Sequence, residues 1–150
     1  MDILGISCFY HDSAASLVRD GEIIAAVQEE RFTRKKHDFD FPINSINWCL
    51  KQGEIAAKDL HFLIFYEKPL IKFERILENF LSLAPSGISQ FMQALPIWLK
   101  EKLWIPELIR KKLDYEGKIL FAQHHETHAA SAFYPSPFKE AAFLIFRKIR

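Results

Sequence analysis

The chain carries little that would tie it to a membrane, an oxidising compartment or a polyanion. Only two cysteines, Cys8 and Cys49, occur in 150 residues, far apart and at no ligand spacing. They read as buried thiols of a reducing compartment rather than as a disulfide or a metal knuckle. No apolar run reaches the roughly 18 residues that a bilayer span needs. No signal peptide is expected, because Met1-Asp2 leads straight into Ile3-Leu4-Gly5-Ile6. The expectation is a soluble, cytoplasmic protein. Charge of one sign is also missing: 20 Lys and Arg against 19 Asp and Glu leave a net charge of +1. No global field therefore recruits nucleic acid or a membrane surface. Internal repeats and low-complexity tracts are absent as well.

What is present is core material. The chain is 49% hydrophobic with 14 Phe and 3 Trp, which excludes a disordered tail and amounts to about one domain. Three strands are predicted first, over Ile3–Cys8, Ala14–Val18 and Glu22–Gln28, with Asp20-Gly21 as a tight hairpin turn. A polar loop follows over Thr33–Asp40. Pro42 can open a helix that Gly53 stops. His61–Tyr66 reads as a buried strand. Pro69–Leu83 has apolar residues at helical spacing, as do Ile88–Leu103 (with Pro96 as a kink or boundary) and Ile105–Leu113. Lys118–Ala122 is a strand, Glu126–Phe133 a helix, and Ala141–Phe146 a last apolar strand. The fold class is α/β, a mixed sheet of about five strands with helices.

The chain has six histidines, and His124, His125 and His128 lie within five positions. On a helix, His124 and His128 would stack one turn apart on one face. Two neutral imidazoles so placed can hold a transition metal, or can be surface histidines that bind nothing. Two other polar clusters stand out. Tyr10-His11-Asp12-Ser13-Ala14 lies between two apolar strands, the arrangement with which actin-like ATPases and sugar kinases cradle phosphate, and equally that of an ordinary hairpin. Gly5 in the first strand permits close approach of backbone or ligand. Glu29–Asp38 is either a solvated loop or an anion site. In the second case Lys35 or Lys36 would neutralise a phosphate or carbamoyl group, and Arg31 or Arg34 would make a bidentate clamp.

Residues 3–15 (Ile-Leu-Gly-Ile-Ser-Cys-Phe-Tyr-His-Asp-Ser-Ala-Ala) closely resemble the opening of the O-carbamoyltransferases that modify nodulation factors and antibiotics. Residues 20–38, Phe41-Pro42, Tyr66-Glu-Lys-Pro69 and the segment from His124 to Pro137 match in the same order, so the resemblance covers residues 2 to 146. It implies an actin-like domain of the sugar-kinase and Hsp70-like ATPase kind, followed in the family by a YrdC-like domain. It implies that carbamoyl-adenylate is made from carbamoyl phosphate and ATP in the YrdC-like domain. The carbamoyl group then passes to a small-molecule acceptor hydroxyl beside a metal, usually iron, in the actin-like domain. Carried over, His124 and His128 match the metal-binding histidines. His11 and Lys36 match polar positions of the transfer site, with Asp12 beside them. Ser13 and Arg34 are the candidate cofactor-binding residues.

One departure stands beside the match. In the family the strand after the histidine motif ends in a metal-binding aspartate followed by glycines, whereas Ala141–Phe146 is followed here by Arg147. The rest of the actin-like domain and the YrdC-like domain are not in the 150 residues. The expectation is therefore an N-terminal fragment of a carbamoyltransferase, inactive alone or complemented by a separately encoded remainder. The alternatives are a truncated binding module and, more remotely, an actin-like kinase or ATPase.

Overall fold

Alternating side chains and the Asp20-Gly21 dipeptide build the first three strands into a meander. In the computed structural model, which describes residues 1–83, 88–100 and 102–145, β1 (Asp2–Ser7), β2 (Ala14–Arg19) and β3 (Glu22–Gln28) pair antiparallel in sequence order. Asp20 and Gly21 have φ of 52° and 90°, the two positive values that a type I′ turn requires. Gly21 adopts its value without strain because it has no Cβ.

The polar loop expected over Thr33–Asp40 begins later than expected. A single helical turn, α1 (Glu30–Thr33), precedes it and ends at Arg34 in the left-handed region. Helix α2 (Ile43–Gln52) then starts directly after Pro42. Strand β4 (Phe62–Phe65) runs parallel to β1, and β5 (Lys118–Phe121) runs parallel to β4. The sheet order is β3-β2-β1-β4-β5, so β1 is central, with antiparallel neighbours on one side and parallel ones on the other. Helices α3 (Pro69–Leu83), α4 (Ile88–Lys100, continuing through Pro96) and α5 (Ile105–Leu113) fill the crossover from β4 to β5, and α6 (His124–Phe133) follows β5. This is the α/β class with a mixed five-stranded sheet, as expected of part of an actin-like domain.

One face of the sheet holds the core. Leu4, Ile6, Leu17, Leu63 and Phe65 point from alternate strand positions at Ile46 and Cys49 of α2 and at Ile105 and Ile109 of α5. Both cysteines are buried, and burial pushes the Cys49 thiol up to about 11. Gly53 does follow α2, but its φ is −80°, so no left-handed turn explains the glycine. The reason is space: a Cβ there would overlap Cδ2 of Leu17, which is fully buried. Gly53→Ala should therefore cost about 1–3 kcal/mol through overpacking. Urea unfolding would show it, and wild-type stability would refute the steric account.

Among the described residues the expected last strand is not formed. Residues 141–145 lie outside regular structure, and Phe146 and Arg147 fall outside the described residues. Composition marks a segment that can be buried in a sheet, but it supplies no hydrogen-bonding neighbour. Leu144 is instead 80% exposed, and Leu70, Leu81 and Met92 on α3 and α4 are also largely open to solvent. Among the described residues no helix is long and apolar enough to cross a membrane.

Candidate functional site

The parallel strands β1, β4 and β5 end at the same edge of the sheet, and each is followed by one of the sequence motifs. The loop after β1 carries His11, Asp12 and Ser13. Tyr66-Glu67-Lys68 follow β4, and His124 opens α6 three residues beyond Phe121, the last residue of β5. Crevices outside the carboxyl ends of parallel strands are where α/β sheets bind ligands. Side chains link the three loops. Tyr10 packs on His11 with ring centroids 4.6 Å apart, and Lys72 Nζ lies 5.3 Å from the Tyr10 ring. Lys72 donates to Glu67 at 2.6 Å, and Tyr66 meets His124 edge to face at 5.6 Å.

The charged loop after α1 is fastened to the β1–β2 loop. Phe9 N–H donates to Phe39 O at 2.8 Å, and Ser13 N–H donates to Asp38 O at 2.7 Å. Ser13 is 1% exposed, and its hydroxyl also donates to Asp38 O, at 3.0 Å. The side chain thus joins the two loops. Its backbone carbonyl accepts from Glu29 N–H at 2.8 Å. Arg34 is exposed at the end of α1, and its backbone N–H donates to Glu30 O.

This fastening brings two imidazoles to one carboxylate. His11 Nδ1 lies 2.9 Å from Asp12 Oδ2, and His37 Nδ1 lies 2.9 Å from Asp12 Oδ1. The His37 hydrogen bond, joined by that of His11, holds the Asp12 carboxyl below its ordinary range despite some desolvation. Asp12 is itself in the left-handed region at φ 47°. His37 was not among the predicted site residues. Its place in Lys35-Lys36-His37-Asp38 was visible, but its partner is 25 residues away.

The structure also separates the two lysines. Lys35 Nζ is held by Asp40 at 3.0 Å and by Asp38 at 3.5 Å, and lies over the Phe39 ring. The Asp40 hydrogen bond raises the Lys35 pKa. Lys36 is exposed and makes no ion pair among the described residues. Of these two lysines, Lys36 is accordingly the one left for a ligand. Arg31 lines a groove of about 570 Å³ on the sheet face opposite the core, together with Gly5, Ser7 and Thr127. A Cβ on Gly5 would meet only Ser16 O at 3.8 Å, so that glycine is not required by a close contact.

Helix α6 starts at His124 rather than at Glu126, since Thr127 N–H donates to Gln123 O and closes the first turn there. The His124–His128 spacing is therefore helical throughout. Their Nε2 atoms stand 3.1 Å apart. That separation suits a hydrogen bond between a protonated and a bare nitrogen. It also suits a shared ion, because two nitrogens about 2.1 Å from one metal at a right angle are about 3.0 Å apart. His124 Nδ1 is buried and has no hydrogen-bond partner among the described residues. Burial, helped by the neighbouring His128, pushes the His124 pKa down, which keeps its ring neutral and its nitrogens able to bind metal. Among the described residues no group of three His, Cys, Asp or Glu side chains surrounds a metal position. Among the described residues the pair could thus supply at most two donors to a metal.

Comparison with known proteins shows the family. The family described as carbamoyltransferase N-terminus matches residues 2–149. Uncharacterized protein sll1178 of Synechocystis is 54% identical over 95% of this chain and 24% of its own length. Nodulation protein NolNO of Sinorhizobium fredii is 36% identical over 91% of this chain and 19% of its own length. An uncharacterized 19.2 kDa protein of Rhizobium etli is 45% identical over 39% of this chain and 34% of its own length. The chain spans at most about a quarter of the length of the first two relatives. With the motifs, their convergence on one sheet edge and a match across nearly its whole length, the chain belongs to the carbamoyltransferase family, in the region that forms the N-terminus of its members.

Proposed function

We propose that this chain forms the transfer half of an O-carbamoyltransferase active site and works with the remainder of the length seen in its relatives. That remainder, in the same or a separate polypeptide, would activate the donor from carbamoyl phosphate and ATP. The observation that carries the reading is the pairing of His11 with Asp12 at the sheet edge that also bears His124 and His128. An acid–base residue and a candidate metal pair thus stand at one edge of the sheet.

Asp12 accepts from Nδ1–H of His11 and so selects the tautomer that leaves Nε2 bare. Nε2 takes the proton of the acceptor hydroxyl as its oxygen attacks the carbamoyl carbon. A carbon–oxygen bond forms to the acceptor, the bond to the adenylate phosphate breaks, and AMP leaves with the electron pair. Lys36 places positive charge beside the carbamoyl or phosphate oxygens as charge builds there. His124 and His128 would hold a metal ion, with iron the family's expectation, and such an ion polarises a carbonyl oxygen as a Lewis acid.

The reading is tested with a chimera in which this chain replaces the matching N-terminal region of the Synechocystis relative. Carbamoyl-labelled donor, ATP and a panel of sugar hydroxyls should yield carbamoyl esters. Failure of the chimera where the unaltered relative succeeds would remove the proposal.

Metal binding has its own test. The full chain should bind ferrous or zinc ion weakly, because two histidines supply fewer donors than the three of typical catalytic sites. His128→Ala should weaken binding at least about tenfold. Tight binding that survives the substitution would place the metal elsewhere.

A further inference from the structure

We infer that Lys68, Arg75 and His125 form a phosphate-binding subsite beside the histidine pair. A cavity of about 200 Å³ opens between the start of α3 and the start of α6. Its walls include Lys68, Lys72, Arg75, His124 and His125, with Glu67 as the one carboxylate among the described residues that line it. Glu67 is 5% exposed and bound by Lys72 at 2.6 Å, so that acid is already matched. Lys68 and Arg75 make no ion pair among the described residues, and Glu78, one turn along α3 from Arg75, makes none with it. The cavity therefore carries cations in excess of anions.

Backbone adds to the same sign. Helices α3 and α6 begin at the ends of neighbouring parallel strands, and residues at both starts line this cavity. The first turns of helices present unpaired N–H groups and the positive end of the dipole. No side chain caps the start of α6, since Gln123 makes no capping hydrogen bond. Two helix starts, an arginine fork and a lysine suit a group with several charged oxygens, which is a phosphate ester or anhydride rather than a single carboxylate.

The site also explains Tyr66-Glu-Lys-Pro69, a sequence motif for which the hydroxyl-activating chemistry has no use. Glu67 holds Lys72, and Lys72 in turn reaches the Tyr10 ring beside His11. A phosphate seated here would lie against His124, in a cavity whose Lys72 reaches the Tyr10 ring. This deepens the carbamoyl-transfer reading by giving the phosphate of the donor an anchor in this chain.

Calorimetric titration of the full, EDTA-treated chain with inorganic phosphate, AMP and acetate tests it. Phosphate and AMP should bind more tightly than acetate. Lys68→Ala and Arg75→Ala should each weaken phosphate at least about tenfold, with Lys111→Ala on α5 unchanged. AMP much tighter than phosphate points to a nucleotide source, and equal affinities point to a free phosphoryl group; both support the subsite. Neither Lys68 nor Arg75 is buried, and far-UV dichroism checks that the variants fold. A phosphate-induced shift of the His125 amide resonance in the unaltered chain is a second readout. No binding by the unaltered chain, wild-type affinity in the double variant, or acetate as tight as phosphate each overturns the inference. Phosphate binding with a chimera that transfers no carbamoyl group leaves the subsite standing and removes the carbamoyl reading instead.

Discussion

His11→Ala in the Synechocystis chimera is expected to lower the rate of carbamoyl transfer about a hundredfold or more. A positioned general base typically contributes on that scale. Asp12→Asn should cost nearly as much with the ring still present. An amide can also donate to Nδ1, so it no longer enforces the tautomer that leaves Nε2 bare toward the acceptor. Lys36→Ala should also fall about a hundredfold, because a charge aimed at developing negative charge is lost. Lys35→Ala should change the rate far less, because Lys35 is already held by Asp38 and Asp40. The contrast between adjacent lysines is the sharpest check, since composition cannot tell them apart. Equal effects of Lys35→Ala and Lys36→Ala would dismiss the assignment of Lys36. Rates measured at saturating and at limiting acceptor separate a loss in the chemical step from a loss in binding.

Glu29→Ala should destabilise the chain by roughly 2–4 kcal/mol, the cost of a lost helix cap plus buried donors left without acceptors. Glu29 is 2% exposed, and its carboxylate accepts four hydrogen bonds at the start of α2. One oxygen accepts from Asn44 N–H at 3.1 Å and Asn44 Nδ2 at 2.7 Å. The other accepts from Ser45 N–H at 2.8 Å and Ser45 Oγ at 2.6 Å. Ser45 is fully buried, so water cannot replace the lost acceptor there. Glu29→Gln keeps one acceptor oxygen but turns an NH₂ toward two donors, so it should recover only part of the loss. Equilibrium unfolding in urea measures both. A Glu29→Ala chain as stable as wild type would mean that water or a local shift satisfies Ser45.

Much of this molecule follows from its sequence alone, for physical reasons that act over short distances. The β1–β2–β3 meander was legible because side chains alternate along a strand and Asp20-Gly21 accepts positive φ. Helices α3 and α5 were legible to the residue because their apolar stripes repeat at helical spacing. The juxtaposition of His124 and His128 needed only a four-residue spacing on a helix. The motifs named the family, which the comparison confirms.

What tertiary structure decided depends on contacts across the chain. Glu29 read as one charge in a polar run, yet it is buried, because its partners in α2 are 15 and 16 residues away. His37 reads as loop until Asp12 is placed beside it, and only the folded chain shows that the Ser13 hydroxyl donates to the backbone carbonyl of Asp38. Gly53 reads as a helix stop, and only the neighbouring Leu17 shows that the glycine is there for space. Ala141–Ile145 has the composition of a strand and no strand to pair with among the described residues. Local periodicity reports which residues can be buried and in which geometry. Which carboxylate meets which imidazole, and which lysine remains unpaired, is set by the three-dimensional closure of loops that sequence distance keeps apart.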